Sequence, residues 1–142
     1  MHRGMTLVEL LVVVTIMGTL MLLAVPQAGK LTDRLRTARA TDEVAMFYHR
    51  ARYAALMRAT PVRVDFAADT LKATYQGVRD SVFLVLDGPA KYGVQLTASR
   101  SSIRIRPTGW GWGAANTKLV LRRGAAAESL TTSRLGRLKR WR

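Results

Sequence analysis

Few side chains in this sequence are placed to do chemistry, and the most unusual is a carboxylate. Glu9 stands alone in the run from Gly4 to Pro26, GMTLVELLVVVTIMGTLMLLAVP, among apolar, small and hydroxylated residues. An ionisable group in such a run is costly and calls for a partner. Other groups offer little for catalysis. There is no cysteine, and the two histidines, His2 and His49, lie far apart. No set of His or carboxylate residues has the spacing of a metal site. Asp65, Asp69, Asp80 and Asp87 fall near the ends of strand-like runs, where they form turns and balance charge. No nucleophile–base pair and no phosphate-cradling glycine loop is present. The sequence reads as a non-enzymatic chain with no metal and no cofactor.

The second chemistry is cationic. The formal net charge is +14, and from Arg100 onward eleven Lys and Arg residues face one acid, Glu128. Arg104 and Arg106 share the polar face of one candidate strand, Lys118 and Arg122 that of the next. If these two strands pair, like charges meet, which destabilises a sheet unless an anion or water intervenes. Arg134, Arg137, Lys139, Arg140 and Arg142 extend the basic end. Such a face is solvated, docks an acidic neighbour, or contacts nucleic-acid phosphates. The candidate phosphate contacts are Arg104, Arg106, Arg122, Arg134, Arg137, Lys139 and Arg140. Trp110 and Trp112, in GWGWG, read as plugs of a sheet edge; exposed, they would stack on bases.

These groups need elements to hold them. From Met5 to Val25 a helix would span about 31 Å, the thickness of a bilayer's hydrocarbon core. It is apolar all round, which argues against a helix with one face on a soluble core. Val25-Pro26-Gln27-Ala28 makes a poor signal-peptide cleavage site. Pro26 and Gly29 predict a local break between Ala24 and Gly29. Helical periodicity then resumes through Leu31, Leu35, Ala38, Thr41, Ala45, Tyr48, Ala51 and Ala55, predicting an amphipathic helix over 26–58 that continues the anchor. After Pro61 the period becomes two. VRVDF and LKATY read as a hairpin. SVFLVLD, Ser81 to Asp87, reads as a strand buried on both faces. Further strands are expected at Tyr92 to Ala98, Ser102 to Arg106, Thr117 to Arg123 and Leu130 to Ser133, with a short segment around Leu135 to Lys139.

Gly4 followed by Met5-Thr6-Leu7-Val8-Glu9 resembles the class III leader of type IV pilins and pseudopilins. The resemblance implies cleavage between Gly4 and Met5 by a prepilin peptidase, N-methylation of Met5, and Glu9 as fifth residue of the mature chain. Phenylalanine is usual where Met5 stands. Two further stretches narrow the likeness. Ala51-Arg52-Tyr53-Ala54-Ala55 through Thr60-Pro61-Val62-Arg63-Val64-Asp65-Phe66 is similar to the helix-to-strand junction of GspH/FimT-type pseudopilins. Ile105-Arg106-Pro107-Thr108-Gly109 and Leu135-Gly136-Arg137-Leu138 are similar to that family's Pro-x-Gly turn and C-terminal Gly-Arg signature.

The family implies an α+β fold: a long, kinked N-terminal helix, membrane anchor plus amphipathic half, packed on a small antiparallel β domain. The expected divisions are a leader (1–4), a transmembrane assembly helix (5–25), the amphipathic continuation (26–58) and a β domain (59–142). The implied partners are other pilins or pseudopilins, the peptidase and the inner membrane, with the C-terminal domain in the periplasm. Glu9 would meet the Met5 amine of a neighbouring subunit; otherwise it stays protonated or reaches toward headgroups. The implied role is a minor pseudopilin, a structural subunit of a type II secretion pseudopilus or of a type IV pilus. The alternative is a minor pilin that captures DNA through its basic face. Members linked to DNA uptake carry Gly-Arg-x-Arg, and here Gly136-Arg137-Leu138-Lys139 has lysine at the last position.

Overall fold

A computed structural model describes residues 6–113 and 116–141. The side chains of 23 and 24 are outside the description. The chain forms two compact units, divided between Thr32 and Asp33. One helix, α1 (Leu7–Met57), contributes to both.

In the first unit the helix runs through Pro26 without interruption, so the break expected between Ala24 and Gly29 does not divide it. Proline there removes one backbone bond but leaves the helical path. Every described side chain of this unit from Thr6 to Val25 is exposed; among the large apolar ones the exposure runs from 80% at Leu7 to 40% at Val13. Thr15 and Thr19 donate their hydroxyls to the carbonyls of Leu11 and Thr15, so neither brings an unmet polar group into the apolar surface. The helix is long and apolar enough to cross a membrane.

In the second unit, helix residues 33–57 bury one stripe: Thr37, Ala40, Thr41, Val44, Phe47, Tyr48, Ala51 and Ala55. Leu31 and Leu35, expected on that stripe, are exposed. The buried face begins a turn later, with Thr37. Two four-stranded antiparallel sheets complete the unit. The first contains β1 (Val62–Phe66), β2 (Thr70–Tyr75), β3 (Ser81–Asp87) and β5 (Ser102–Ile105) in the order β3-β2-β1-β5. The second contains β4 (Gln95–Ala98), β6 (Thr117–Arg123), β7 (Ala126–Thr132) and β8 (Leu138–Trp141) in the order β4-β6-β7-β8. The alternating strands form where one face is buried: Val62, Val64 and Phe66 point inward, Arg63 and Asp65 outward. The core joins the helix stripe to both sheets through Leu71, Ile105, Leu119, Leu121 and Leu130.

Two expectations are corrected, and a pairing left open in the sequence is decided. The SVFLVLD strand, β3, is an edge strand, not buried on both faces; Val82 and Val85 are 45% and 58% exposed. The strands at 102 and 117 do not pair with each other. β5 joins β1 in the first sheet and β6 lies in the second. The stretch from Tyr92 is not all strand: Pro89–Tyr92 is a 3-10 turn, and β4 starts at Gln95.

Candidate functional site

The first candidate is Glu9. It lies in the first turn of α1, where the helix dipole favours a negative charge. The Glu9 backbone N–H donates to Oγ1 of Thr6 at 3.2 Å. Thr6 precedes the first helical residue, so the pair forms one half of a capping box. The signal in the sequence is Thr-x-x-Glu, and it gives Thr6 a role in starting the helix that the apolar pattern alone does not reveal. Gly4 and Met5, the expected processing residues, lie outside the described residues.

The second candidate is the basic end of the second unit, and its geometry is set by an arginine from the helix. Nε of Arg52 donates to the Gly109 carbonyl at 2.9 Å. Gly109 belongs to the turn Pro107-Thr108-Gly109. Gly136 packs on the same spot with φ of +73°; a Cβ there would lie 2.3 Å from the Gly109 oxygen and 2.8 Å from Arg52 Nε. Three separate stretches of sequence, the helix end, the β5–β6 loop and the β7–β8 turn, therefore close on one point. The joint continues outward. Gly111 N–H donates to the Arg134 carbonyl (2.9 Å), and Arg134 donates from its backbone to Asn116 Oδ1 (3.0 Å) and from Nε to the Gly113 carbonyl (3.3 Å). Beside Arg52, burial pushes the Tyr48 hydroxyl above its ordinary pKa, with the arginine's charge offsetting part of the rise.

The cations expected to act together are separated by this fold. Arg104 lies exposed on β5 directly opposite Arg63 of β1, so the like-charge pairing occurs, but with a different strand. Arg63 is 3.2 Å from Asp65. The Arg106 guanidinium sits over the Trp112 ring at 5.1 Å. Trp110 and Trp112 are 52% and 51% exposed, so they do not plug the sheet edge. Arg122 is exposed on β6. Its neighbour Arg123 points inward and was not singled out: Nε meets Asp33 Oδ1 at 2.8 Å, and a second nitrogen donates to the Tyr92 carbonyl at 2.7 Å. Arg140 also turns inward, bonding Glu128 (Nε to Oε2, 2.7 Å) and Asp42 of the helix. It ties β8 to β7 and α1 and is not a free surface charge. Glu43, on the helix, accepts from Tyr92 Oη and pairs with Lys91 at 2.7 Å. Partial burial raises its pKa, but the bonds from Lys91 and Tyr92 outweigh this and hold the carboxyl below its ordinary value.

What remains accessible is the outer face of the second sheet. Lys118 of β6, Thr131 of β7 and Lys139 of β8 stand in register across it. The Lys139 ammonium lies 3.8 Å from the Trp141 ring centre. A shallow groove of about 710 Å³ runs past Lys118, Arg137 and Lys139, with Ser99, Asn116, Thr131 and Ser133 supplying hydroxyl and amide groups. Among the described residues that line it, none is a carboxylate. The arrangement can attract an anion with fixed polar partners at hand. His49 is exposed on the helix, and no group of His and carboxylate side chains among the described residues is placed to hold a metal.

Comparison with known proteins agrees with this architecture. Residues 1–25 match the model of the prokaryotic N-terminal methylation motif. Two fimbrial proteins of Pseudomonas aeruginosa are 33% and 34% identical over 99 and 96 residues, 70% and 68% of this chain. The chain spans about 60% of the length of these relatives, 62% of one and 60% of the other. Two crystal structures of the type IV minor pilin FimU from P. aeruginosa PAO1 share the fold. The TM-scores are 0.65 and 0.62 at 12% and 11% identity, over 75% and 74% of this chain and 88% and 92% of the FimU chains.

Proposed function

We propose that this chain, type IV pilin-like by its methylation motif, its fold and its fimbrial relatives, works as a minor pseudopilin. It is a structural subunit of a type II secretion pseudopilus or a related type IV pilus, held in the inner membrane after its leader is removed, with its β domain in the periplasm. The observation that carries this reading is a single carboxylate at the start of an uncovered apolar helix, within the stretch that matches the methylation motif. An apolar helix with no protein cover is stable in lipid or among like helices. A peptidase cut before Met5 would create an amine that Glu9 of a neighbour can neutralise. Removing one member leaves the other charge unmatched in hydrocarbon, at a cost of several kcal/mol. The test is mass spectrometry of the mature N-terminus together with assembly of Glu9→Ala. A methylated terminus at Met5 and loss of Glu9→Ala from the polymer support the reading. A mature chain that still begins at residue 1 overturns it.

A second reading, a minor pilin that captures DNA, is favoured by the carboxylate-free groove of Lys118, Arg137 and Lys139. Three phosphate contacts on duplex DNA give a slope of about −2.7 for log K against log salt. A gel shift with the full chain in detergent at several salt concentrations tests it. Binding with that slope, weakened by Arg137→Ala and Lys139→Ala, supports DNA capture. No binding at low salt rejects it.

A further inference from the structure

The longest edge strand of the protein is also its least guarded. β3 ends the first sheet, with β2 on one side and, among the described residues, no strand on the other. The other three edge strands, β4, β5 and β8, have four residues each, and β5 and β8 carry cations. β3 has seven, SVFLVLD, without Lys, Arg or Pro. Natural edges are usually kept short or charged because a row of unpaired backbone donors and acceptors recruits another extended chain. One irregularity occurs at Phe83, where the register against β2 shifts between Ala73 and Thr74. Beyond it Leu84, Val85, Leu86 and Asp87 pair regularly with Ala73, Lys72, Leu71 and Thr70. Phe83 stacks on Tyr75 (4.0 Å between ring centres), and Arg58 lies over Tyr75 at 4.7 Å, which pins this part of the strand to the end of the helix.

Apolar side chains are exposed along that edge. Val82 and Val85 are half exposed. Between the strand and α1 opens a groove of about 310 Å³ lined by Glu43, Met46, Phe47, Arg50, Leu84 and Leu86. Met46, exposed at its rim, shares a helix stripe with Tyr53 and Met57, which are exposed too. Charges of both signs stand around it: Arg50 and Glu43 in the groove lining, Lys72 opposite Val85, Arg58 over Tyr75, and Arg79 with Asp80 and Asp87 at the strand's two ends.

We propose that the free edge of β3 receives an extended segment of a different pilin-like subunit as a fifth strand of the first sheet, with an apolar side chain of that segment in the groove. The proposal rests on the subunit reading above. The backbone ladder sets the form of the occupant, because only an extended chain satisfies donors and acceptors at strand spacing. The groove sets its side chain. The net charge narrows its identity: the full chain carries +14, so two copies repel as they approach, and the occupant is a neutral or acidic subunit and not a second copy.

The test uses the full chain in its own membrane, with photoreactive benzoylphenylalanine replacing Val85 and, as control, Gln95 on β4. The expected result is an adduct from position 85, mapped by mass spectrometry to a strand of a different, neutral or acidic pilin-like chain, and none from position 95. Val82→Lys and Val85→Lys are expected to lower incorporation into filaments about tenfold or more, the loss that goes with failing to bury one valine. Their melting temperature in detergent should stay that of the parent, which separates lost docking from lost folding. Adducts only to a second copy, no adduct, or full incorporation of Val85→Lys overturns the proposal. Glu9→Ala assayed alongside separates the two ideas. Loss of Glu9→Ala with retention of Val85→Lys rejects the edge and leaves the subunit reading; retention of both rejects the subunit reading itself.

Discussion

Replacing Gly136 with alanine should loosen the whole basic end of the protein, although no charge changes. The backbone at Gly136 has φ of +73°, and an alanine in that region costs about 1–2 kcal/mol. The added methyl would also lie 2.3 Å from the Gly109 carbonyl oxygen. That oxygen is backbone and cannot swing aside like a side-chain tip, so the β5–β6 loop must retreat. Retreat breaks the bond from Arg52 Nε to the same oxygen, a hydrogen bond to a charged group contributing about 1.5–3 kcal/mol. The two together predict a loss of about 2.5–5 kcal/mol, a large share of a typical domain's stability. At roughly 4 °C per kcal/mol for a domain of this size, the melting temperature falls by about 10–20 °C. Circular dichroism melts of the full chain in detergent measure it. Arg52→Ala alone should lose about 1.5–3 kcal/mol, and the double variant should lose less than the sum, because the first change has already taken what the second removes. A loss below about 0.5 kcal/mol for Gly136→Ala, or strict additivity with Arg52→Ala, refutes the idea that the three stretches share one joint.

Adjacent arginines on β6 should behave oppositely. Arg123→Met, which loses Asp33 and the Tyr92 carbonyl, should cost about 1–3 kcal/mol in denaturant titrations, and Arg122→Met, at an exposed position, under about 0.5. Glu43 has a depressed pKa in the folded state, so its stabilisation is complete above the unfolded value of about 4.3 and disappears as pH falls through the lower folded value. Thermal melts of the parent should therefore drop across that acid window, and Glu43→Gln should flatten this part of the profile. The three tryptophans, each close to half exposed, should be quenched readily, and more by iodide than by caesium because Arg106 and Lys139 lie over Trp112 and Trp141. Equal quenching by both ions would contradict that placement.

What the sequence made legible followed from local physics. A strand with one buried face alternates, so VRVDF, LKATY and TKLVLRR could be read directly, and the helix showed in its 3.6-residue stripe. β3 was misread because a run that is apolar on both faces looks the same whether both faces are covered or one stays exposed. Strand pairing was not legible. β5 follows β4 by three residues yet leaves for β1 in the other sheet, a choice made by burial of Ile103 and Ile105 and not by loop length. The cations were legible as a number but not as partners. Arg123 meets Asp33 across 90 residues and Arg140 meets Asp42 across 98, distances over which no periodicity reports. The Gly-Arg stretch resembled a family signature, while the reason for its glycine, the Gly109 oxygen against its Cα, exists only in three dimensions.

The value of +14 therefore describes the protein's far field and not any one surface. Arg52, Arg123 and Arg140 hold elements together and are lost to any ligand, because pulling one away leaves a carbonyl or carboxylate unmet. Arg63 and Arg104 face each other across β1 and β5, and Arg63 also meets the Asp65 carboxylate at 3.2 Å. That arrangement is tolerated because both side chains reach water, whose dielectric reduces their repulsion to a fraction of its buried value. The second sheet's outer face is different in kind. Lys118 and Lys139 project there from strands two apart, and Thr131 between them offers a hydroxyl and not a countercharge. Its cations are the ones whose neutralisation by an outside anion disturbs nothing within the fold. At β3 the same reasoning runs through apolar surface, where covering Val82 and Val85 costs no internal contact. One domain thus presents two different surfaces, a cationic outer face on the second sheet and an apolar, unpaired strand edge on the first.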